Sequence, residues 1–387
     1  MPVQALLSMY IFSSKVEIPA GCPLGGYGDR ISSASTRTAV LEVHGFGDGE
    51  SGWEICSVDS LYSGVLATRG LASGFKRVIA ASHTHFAPML DAAKPDLGLF
   101  SQDSAQSFIV GIENAPHRFA TMDTCTTFSG DVGIPVYRRF DFPENRLNRL
   151  LTRYAGFYPN EEHPVDRSVK VFIFSRDNVP EFAFAYHACH PVTRADAQEV
   201  SADYVQALRE AVLERFGLTT CLFFLGCAGD IRPNLARKRS NWLPKNRLNW
   251  RFKYPPTSQD EAYIDDQYRN AVLGANQVNS FAITPAEIQL ATKKVKIEGV
   301  GMIDVPQLLV GDRLLFSFLP FEVSHRYHLE TLEAPGFPRE FIVSCSGDTQ
   351  GYLPHPSQIP SGGYEVDGSR ACMGLSERVE LKVGNSL

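Results

Sequence analysis

The chain has 387 residues, 44% of them hydrophobic and 21% charged, with a formal net charge of −6. This is a globular composition, long enough for one large domain or two ordinary ones. Its acidic balance argues against a general nucleic-acid or membrane-surface binder, and no apolar run is long enough for stable insertion across a bilayer. In chain order, the opening MPVQALLSMYIFSSKVEIPAG has a short apolar run but no basic leader region or convincing small-residue cleavage site. It reads as a first strand rather than a signal peptide, and cytoplasmic residence is the matching expectation. Strands are predicted over Ala39–Val43 and Val78–Ala81, then a helix over Asn145–Tyr154. Strands follow over Val169–Phe174 and Phe182–Tyr186, a helix over Tyr204–Phe216, whose VQALREAVLERF carries a helical stripe, and a strand over Thr220–Leu225. The last elements are a helix over Glu261–Asn276 and strands over Leu314–Phe318 and Phe341–Ser344. The eight cysteines form no CxxC pair and several lie in apolar runs, which predicts reduced core thiols rather than a disulfide framework.

Polar or glycine-rich clusters close several of these strands. Val78–Ala81 runs into SHTH, Phe182–Tyr186 into HACHP, Thr220–Leu225 into GCAGDIRPN, Leu314–Phe318 into LPFE and Phe341–Ser344 into CSGDTQGY. Active sites of α/β proteins gather where strands give way to loops, so a shared cleft is expected. In an extended chain residues i and i+2 point the same way, so His83 and His85 could present two imidazoles to one point. His190 follows a buried-looking strand, and Glu322 is an acid directly after an apolar one, where an unpartnered carboxylate is costly. Two imidazoles and a carboxylate make a catalytic zinc set with a position left open for water. His325 and His328 in FEVSHRYH read as helix-face histidines, because the second Glu-x-x-His copy of a di-metal helical site is absent.

Taken together, these motifs resemble the neutral ceramidases and their shorter bacterial relatives. PLGGYGDR, SVDSL, SHTHFAP, YRRF, HACHPV, FFLGCAGDIRPN and FLPFE occur in the family's order, and GYLPHPSQIPSGGYEV reproduces the spacing of two active-site tyrosines, Tyr352 and Tyr364. The resemblance implies a single α/β domain over residues 1–387, with mixed β-sheets packed centrally and helices outside. It implies zinc held by His83, His190, Glu322 and Tyr352, with His85, Arg138 and Tyr364 lining the reacting carbonyl. A phenol is a poor ligand until ionised, and a bound cation lowers its pKa. Asp230 reads either as a catalytic acid or as a turn acid holding the GCAGD loop. At one position the pattern breaks: where ceramidases carry a serine, GDIRPN has Arg232. A mechanism needing that hydroxyl is excluded, whereas hydrolysis by zinc-activated water is not.

From Arg232 to Pro256 the chain reads RPNLARKRSNWLPKNRLNWRFKYPP, without an acid and with two of its three tryptophans. Arginine clamps carboxylate or phosphate in two-point fashion, and an indole offers a platform for a sugar ring. Arg232, Arg237, Arg239, Trp242 and Trp250 are therefore the expected substrate-binding residues, at the border of the cleft, for an anionic small molecule or polysaccharide. Single-stranded nucleic acid would suit a basic, aromatic segment too, but nothing else in the chain supports it. The chain also reads as lacking the further C-terminal domain of full-length ceramidases. The favoured activity is N-deacetylation of an acidic N-acetylamino sugar or its polymer, of the kind used in aminouronic-acid capsule synthesis. Open alternatives are a ceramidase-like lipid amidase, a barrel-type metal amidohydrolase and a non-catalytic polysaccharide-binding protein. The barrel fits poorly, since it needs regular strand–helix alternation and an HxH nearer the first strand.

Overall fold

A computed structural model describes residues 9–27, 35, 38–68, 75–139, 157–238, 250–252, 255–334 and 339–373. Its framework is three mixed sheets. The first runs, in spatial order, through strands Lys76–Ala81, Trp53–Val58, Ala39–Asp48, Met9–Ile18 and Arg118–Phe119. The second runs through Cys221–Leu225, Val179–His187, Ser168–Arg176, Thr124–Asp131 and Asn276–Ala282. The third comprises Ile288–Ile297, Gly301–Val310, Leu314–Phe318 and Arg339–Val343. Ser57 of the first sheet stitches it to the second, donating its hydroxyl to Phe223 O at 2.8 Å and accepting from Phe223 N at 3.1 Å.

The two faces of this β-structure are chemically distinct, because side chains alternate along each strand. Val169, Val171, Ile173, Ala183 and Ala185 share a core with the helices Gln102–Glu113, Tyr204–Phe216 and Ser258–Leu273. Phe172, Phe174, Phe182, Phe184 and Phe224 point the other way, into a core with Phe316, Phe318 and Phe341 of the third sheet. Central strands covered on both sides must be apolar throughout, and Cys221–Leu225 is buried at every residue. The α/β class with central mixed sheets and outer helices is therefore as expected.

One feature of the topology prepares the site. Each large sheet has a single parallel pair, and in each it lies at an edge: Trp53–Val58 with Lys76–Ala81, Val179–His187 with Cys221–Leu225, and Leu314–Phe318 with Arg339–Val343. Their carboxyl ends are tied together. Ser344 N donates to Leu225 O at 2.8 Å and Ala81 N to Cys345 O at 3.1 Å.

The helix Tyr204–Phe216 has the expected bounds, with Asp203 capping its start and Gly217 in the left-handed conformation ending it. The next helix is Ser258–Leu273 rather than Glu261–Asn276. A Thr257–Asp260 capping box begins it earlier, and Asn276 already opens a strand. The helix expected over Asn145–Tyr154 lies outside the described residues. Cys22, Cys56, Cys125, Cys189, Cys221, Cys227 and Cys345 are free and buried, and no described helix is long and apolar enough to cross a membrane.

Candidate metal centre and active site

His83 leaves the end of the Lys76–Ala81 strand with a φ of 64°, an uncommon conformation for a residue other than glycine. Its backbone N–H is fixed by Ser60 O at 2.8 Å, and its Nδ1 lies 3.0 Å from Leu61 O. His190 follows Val179–His187, and its Nδ1 lies 2.7 Å from Ala228 O and 2.9 Å from Ile231 O. With only carbonyls facing both Nδ1 atoms, each must carry its proton there, and the Nε2 lone pairs are aimed inward. Both meet Glu322, whose Oε2 is 3.3 Å from His83 Nε2 and 3.2 Å from His190 Nε2. His85 completes a group of three imidazoles whose ligating nitrogens lie within 4.8 Å of one another. All but His85, which is half-buried, are shielded from solvent.

This donor set fits a zinc ion. The buried Nε2 of His83 makes no well-aligned hydrogen bond, although Glu322 Oε2 stands 3.3 Å away, an arrangement that a bound ligand between them would satisfy. Ligands about 2.0–2.1 Å from a tetrahedral zinc stand roughly 3.3–3.4 Å from each other, which is the spacing of the two imidazoles from Glu322 Oε2. Although burial opposes its charge, positive charge at His83 and contact with His190 hold the Glu322 carboxyl well below the usual range, and a bound cation would supply that charge in place of a proton. Burial, then Arg138, pushes His190 down to about 4, so it stays neutral and available as a donor at physiological pH.

Tyr352 pairs with Glu322 in a short parallel ladder, Glu322–Val323 with Tyr352–Leu353. Burial and then Glu322 push its phenol well above the usual range, and Arg138 opposes them. Arg138 is deeply buried and its guanidinium is fully engaged: Nε to Glu365 Oε1 at 2.7 Å, one terminal nitrogen to Tyr352 Oη at 3.2 Å, and the other 3.5 Å from His190 Nε2. Arg139 is buried too, paired with the other oxygen of Glu365 and donating to Gly362 O at 2.7 Å. The Arg138–Arg139 pair is thus an internal cationic clamp, not the surface charge that two adjacent arginines suggest.

The sequence-predicted ligands His83, His190, Glu322 and Tyr352 converge, although they come from the ends of two sheets and a separate ladder. Around them lies the more open rim. Gly26, at φ 107°, packs so closely on His85 that a Cβ would stand 2.6 Å from Nδ1, and the Tyr27 ring is 4.9 Å from that imidazole. Tyr364 is 37% exposed and makes edge contacts with Phe157 and Tyr352 at 5.3 and 5.6 Å. Phe157 lies between two cations, 4.3 Å from the Arg138 guanidinium and 6.0 Å from that of Arg232. Arg232 also stacks on Phe252 at 4.5 Å.

Asp230 is fully buried and accepts bonds from Ser324 Oγ at 2.6 Å, His325 N at 2.8 Å and Gln358 Nε2 at 2.7 Å. None of these partners belongs to the histidine group, so the observed geometry is that of the loop-holding acid. His325 and His328 do lie on one helix, His325–Glu333, and both are buried and bonded to Asp166, at 2.9 Å to its N–H and 2.8 Å to its carboxylate. Arg237 and Trp250 lie on the paired strands Ala236–Lys238 and Trp250–Phe252. Arg239 and Trp242 lie outside the described residues. Two participants escaped sequence reading: Tyr62, which donates to Glu322 Oε1 at 2.6 Å, and Glu365, which anchors both arginines. Tyr62 stands one residue past the SVDSL motif, and Glu365 lies inside GYLPHPSQIPSGGYEV, directly after Tyr364, but carried no assigned role.

Comparison with solved structures matches this architecture. A ceramidase complexed with C2 superposes with a TM-score of 0.62 at 12% identity, covering 93% of this chain and 71% of that one. The neutral ceramidase from Pseudomonas aeruginosa gives 0.60 at 13% identity, covering 93% and 70%. The fold is that of the neutral ceramidases. No protein-family profile and no curated protein matches the sequence, so the likeness is one of shape.

Proposed function

We propose that this ceramidase-fold protein is a zinc-dependent amide hydrolase that removes an N-acyl group, in the favoured case N-acetyl, from an acidic amino sugar or its polymer. The observation that carries the reading is the meeting of His83 and His190 at one oxygen of Glu322, with Tyr352 beside them on the same ladder. A ceramidase by name cleaves ceramide, an N-acyl amide, and the same bond in a different substrate is the conservative extension. When bound, zinc supplies a nucleophilic water at neutral pH and polarises an acyl oxygen.

The chain's own residues divide the remaining work. His83, His190, Glu322 and Tyr352 hold the ion. Arg138 faces the Tyr352 hydroxyl and favours its ionised form by charge, while Glu365 keeps that guanidinium in place. His85, half-buried next to the imidazole group, is positioned to carry a proton to the leaving amine. Tyr364, on the open rim, is placed to donate to the acyl oxygen as charge develops there. Asp230 serves as a positioning residue for the loop that presents carbonyls to His190. Arg232, stacked on Phe252 at the rim, supplies a cation for an anionic substrate, and the basic segment it opens extends that border. Cytoplasmic action and the absence of a nucleic-acid partner belong to the same proposal.

A lipid amidase is the second reading, favoured by the fold and by the aromatic rim of Phe157, Phe252 and Tyr364; Arg232 in GDIRPN counts against it. The test is metal quantification followed by mass-spectrometric screening of N-acetylated acidic glycans and a short-chain ceramide. Stoichiometric zinc and loss of acetyl are expected, with activity falling at least about 10²-fold in His83→Ala and affinity for anionic substrates falling in Arg232→Ala. Release of fatty acid from the ceramide alone would select the lipid reading. A zinc-free protein that binds glycans without turnover would make it a binding protein.

A further inference from the structure

A carboxylate ligand has two oxygens, and which of them meets a metal decides how many coordination positions remain for water and substrate. In Glu322 the two are sharply distinguished. Oε2 faces His83 and His190, whereas Oε1 accepts a 2.6 Å hydrogen bond from the Tyr62 hydroxyl.

Tyr62 is 2% exposed, and the segment carrying it is held from several directions. Its neighbour Leu61 presents the carbonyl that meets His83 Nδ1 at 3.0 Å, so two consecutive residues orient two candidate ligands from different sheets. Val65 N bonds Leu90 O at 3.0 Å, and Gly64, with φ 47°, approaches so closely that a Cβ would stand 2.0 Å from Leu90 O. Lys94, buried and paired with Asp91, lies with Nζ 5.4 Å from the Tyr62 ring centre. A cation over a phenol ring withdraws electron density from it and strengthens its O–H as a donor. A buried ion pair outside the candidate ligand set thereby grips the ring that grips Glu322.

We propose that Tyr62, locked beneath Lys94 and Asp91, is a positioning residue of the metal centre that occupies one oxygen of Glu322 and so confines this carboxylate to one-oxygen ligation. The inference rests on the zinc reading above but concerns how the ligand is oriented, not which reaction follows. Outer hydrogen-bond partners of metal ligands are typically worth about 10–100-fold in metal affinity.

The test uses the full chain, wild type and Tyr62→Phe, stripped and reloaded with zinc or cobalt. Competition against a chromophoric chelator should show zinc held about 10–100-fold more weakly by Tyr62→Phe, with the melting temperature of the metal-free protein close to wild type. The visible cobalt band should weaken in the variant as the freed carboxylate supplies a second oxygen and the coordination number rises. X-ray absorption of the cobalt-loaded wild type tests the same point without any substitution and should show a one-oxygen carboxylate. Equal zinc affinity and an unchanged cobalt spectrum in Tyr62→Phe, or a two-oxygen carboxylate in the wild type, would overturn the role of Tyr62 and leave the hydrolase reading standing. A wild-type protein that binds no zinc would overturn both.

Discussion

Replacing Glu365 by alanine isolates the clamp that ties the rim to the metal centre. The carboxylate is almost fully buried, with one oxygen 2.7 Å from Arg138 Nε and the other paired with Arg139. Removing it strands two buried guanidiniums, and breaking a buried ion pair by deleting one partner costs about 3–5 kcal/mol. With a urea m-value of about 3 kcal/mol/M or above for a chain of this size, the unfolding midpoint should fall by roughly 1 M. Glu365→Gln keeps the shape but turns an NH2 group toward one guanidinium, so it should also destabilise, by less. Burial opposes ionisation of Glu365, yet Arg138 and Arg139 hold its carboxyl below the ordinary value of 4.5. A depressed carboxyl contributes stability that is complete above the unfolded pKa and is lost as pH falls through the folded one. The gap between wild type and Glu365→Gln should therefore be constant from pH 6 to 8 and narrow on acidification below about 4.5. Arg138 released from Glu365 no longer aims at Tyr352, so kcat on the proposed N-acyl substrate should drop, by up to about 10²-fold, with KM changed far less. Denaturation of both variants across pH checks the first part and steady-state kinetics the second. A Glu365→Ala midpoint equal to wild type would refute the reasoning, since the two arginines would then be held by something else.

Gly229→Ala should loosen the Glu322 strand from the GCAGD loop. A Cβ there would stand 2.7 Å from Glu322 O and 2.8 Å from Val323 O, both backbone atoms, and such overpacking costs about 1–3 kcal/mol. Lower thermal stability together with weaker zinc binding in a chelator competition is the expected pair of results. Asp203→Ala removes the acceptor for Thr193 N and Oγ1, both at 2.6 Å, and for Tyr204 N at 2.7 Å. A lost cap and unsatisfied donors should cost about 2–4 kcal/mol in chemical denaturation. Because Ser201, two residues away, accepts from Thr84 Oγ1 at 2.7 Å, kcat should fall as well through the loosened SHTH loop.

The candidate ligands were legible because the chemistry forces unusual residues into apolar surroundings: an acid after LLFSFLPF and a histidine pair after VIAA have few structural excuses. Long apolar strands and the stripe of Tyr204–Phe216 were legible for a related reason, since burial on one or two faces imposes a period on the sequence. Less visible were elements with weak patterning. The half-exposed hairpin of Ile288–Ile297 and Gly301–Val310 carries lysines and polar residues on its open face, and the helix Gln102–Glu113 is short and rich in small side chains.

By itself, the order of residues determined which side chains could do chemistry here, because ligand type and the polarity of the flanking strand are local properties. Only the tertiary structure decided what those side chains face. Three edge pairs of parallel strands had to bring their ends together before Arg138 could be seen as an internal clamp rather than a surface charge, or Asp230 as a loop anchor. Tyr62 and Glu322 are 260 positions apart in sequence yet share a 2.6 Å hydrogen bond. Hydrogen bonds and ion pairs act over a few ångströms of space and carry no mark in the chain, so such partners become visible only once the sheets are assembled.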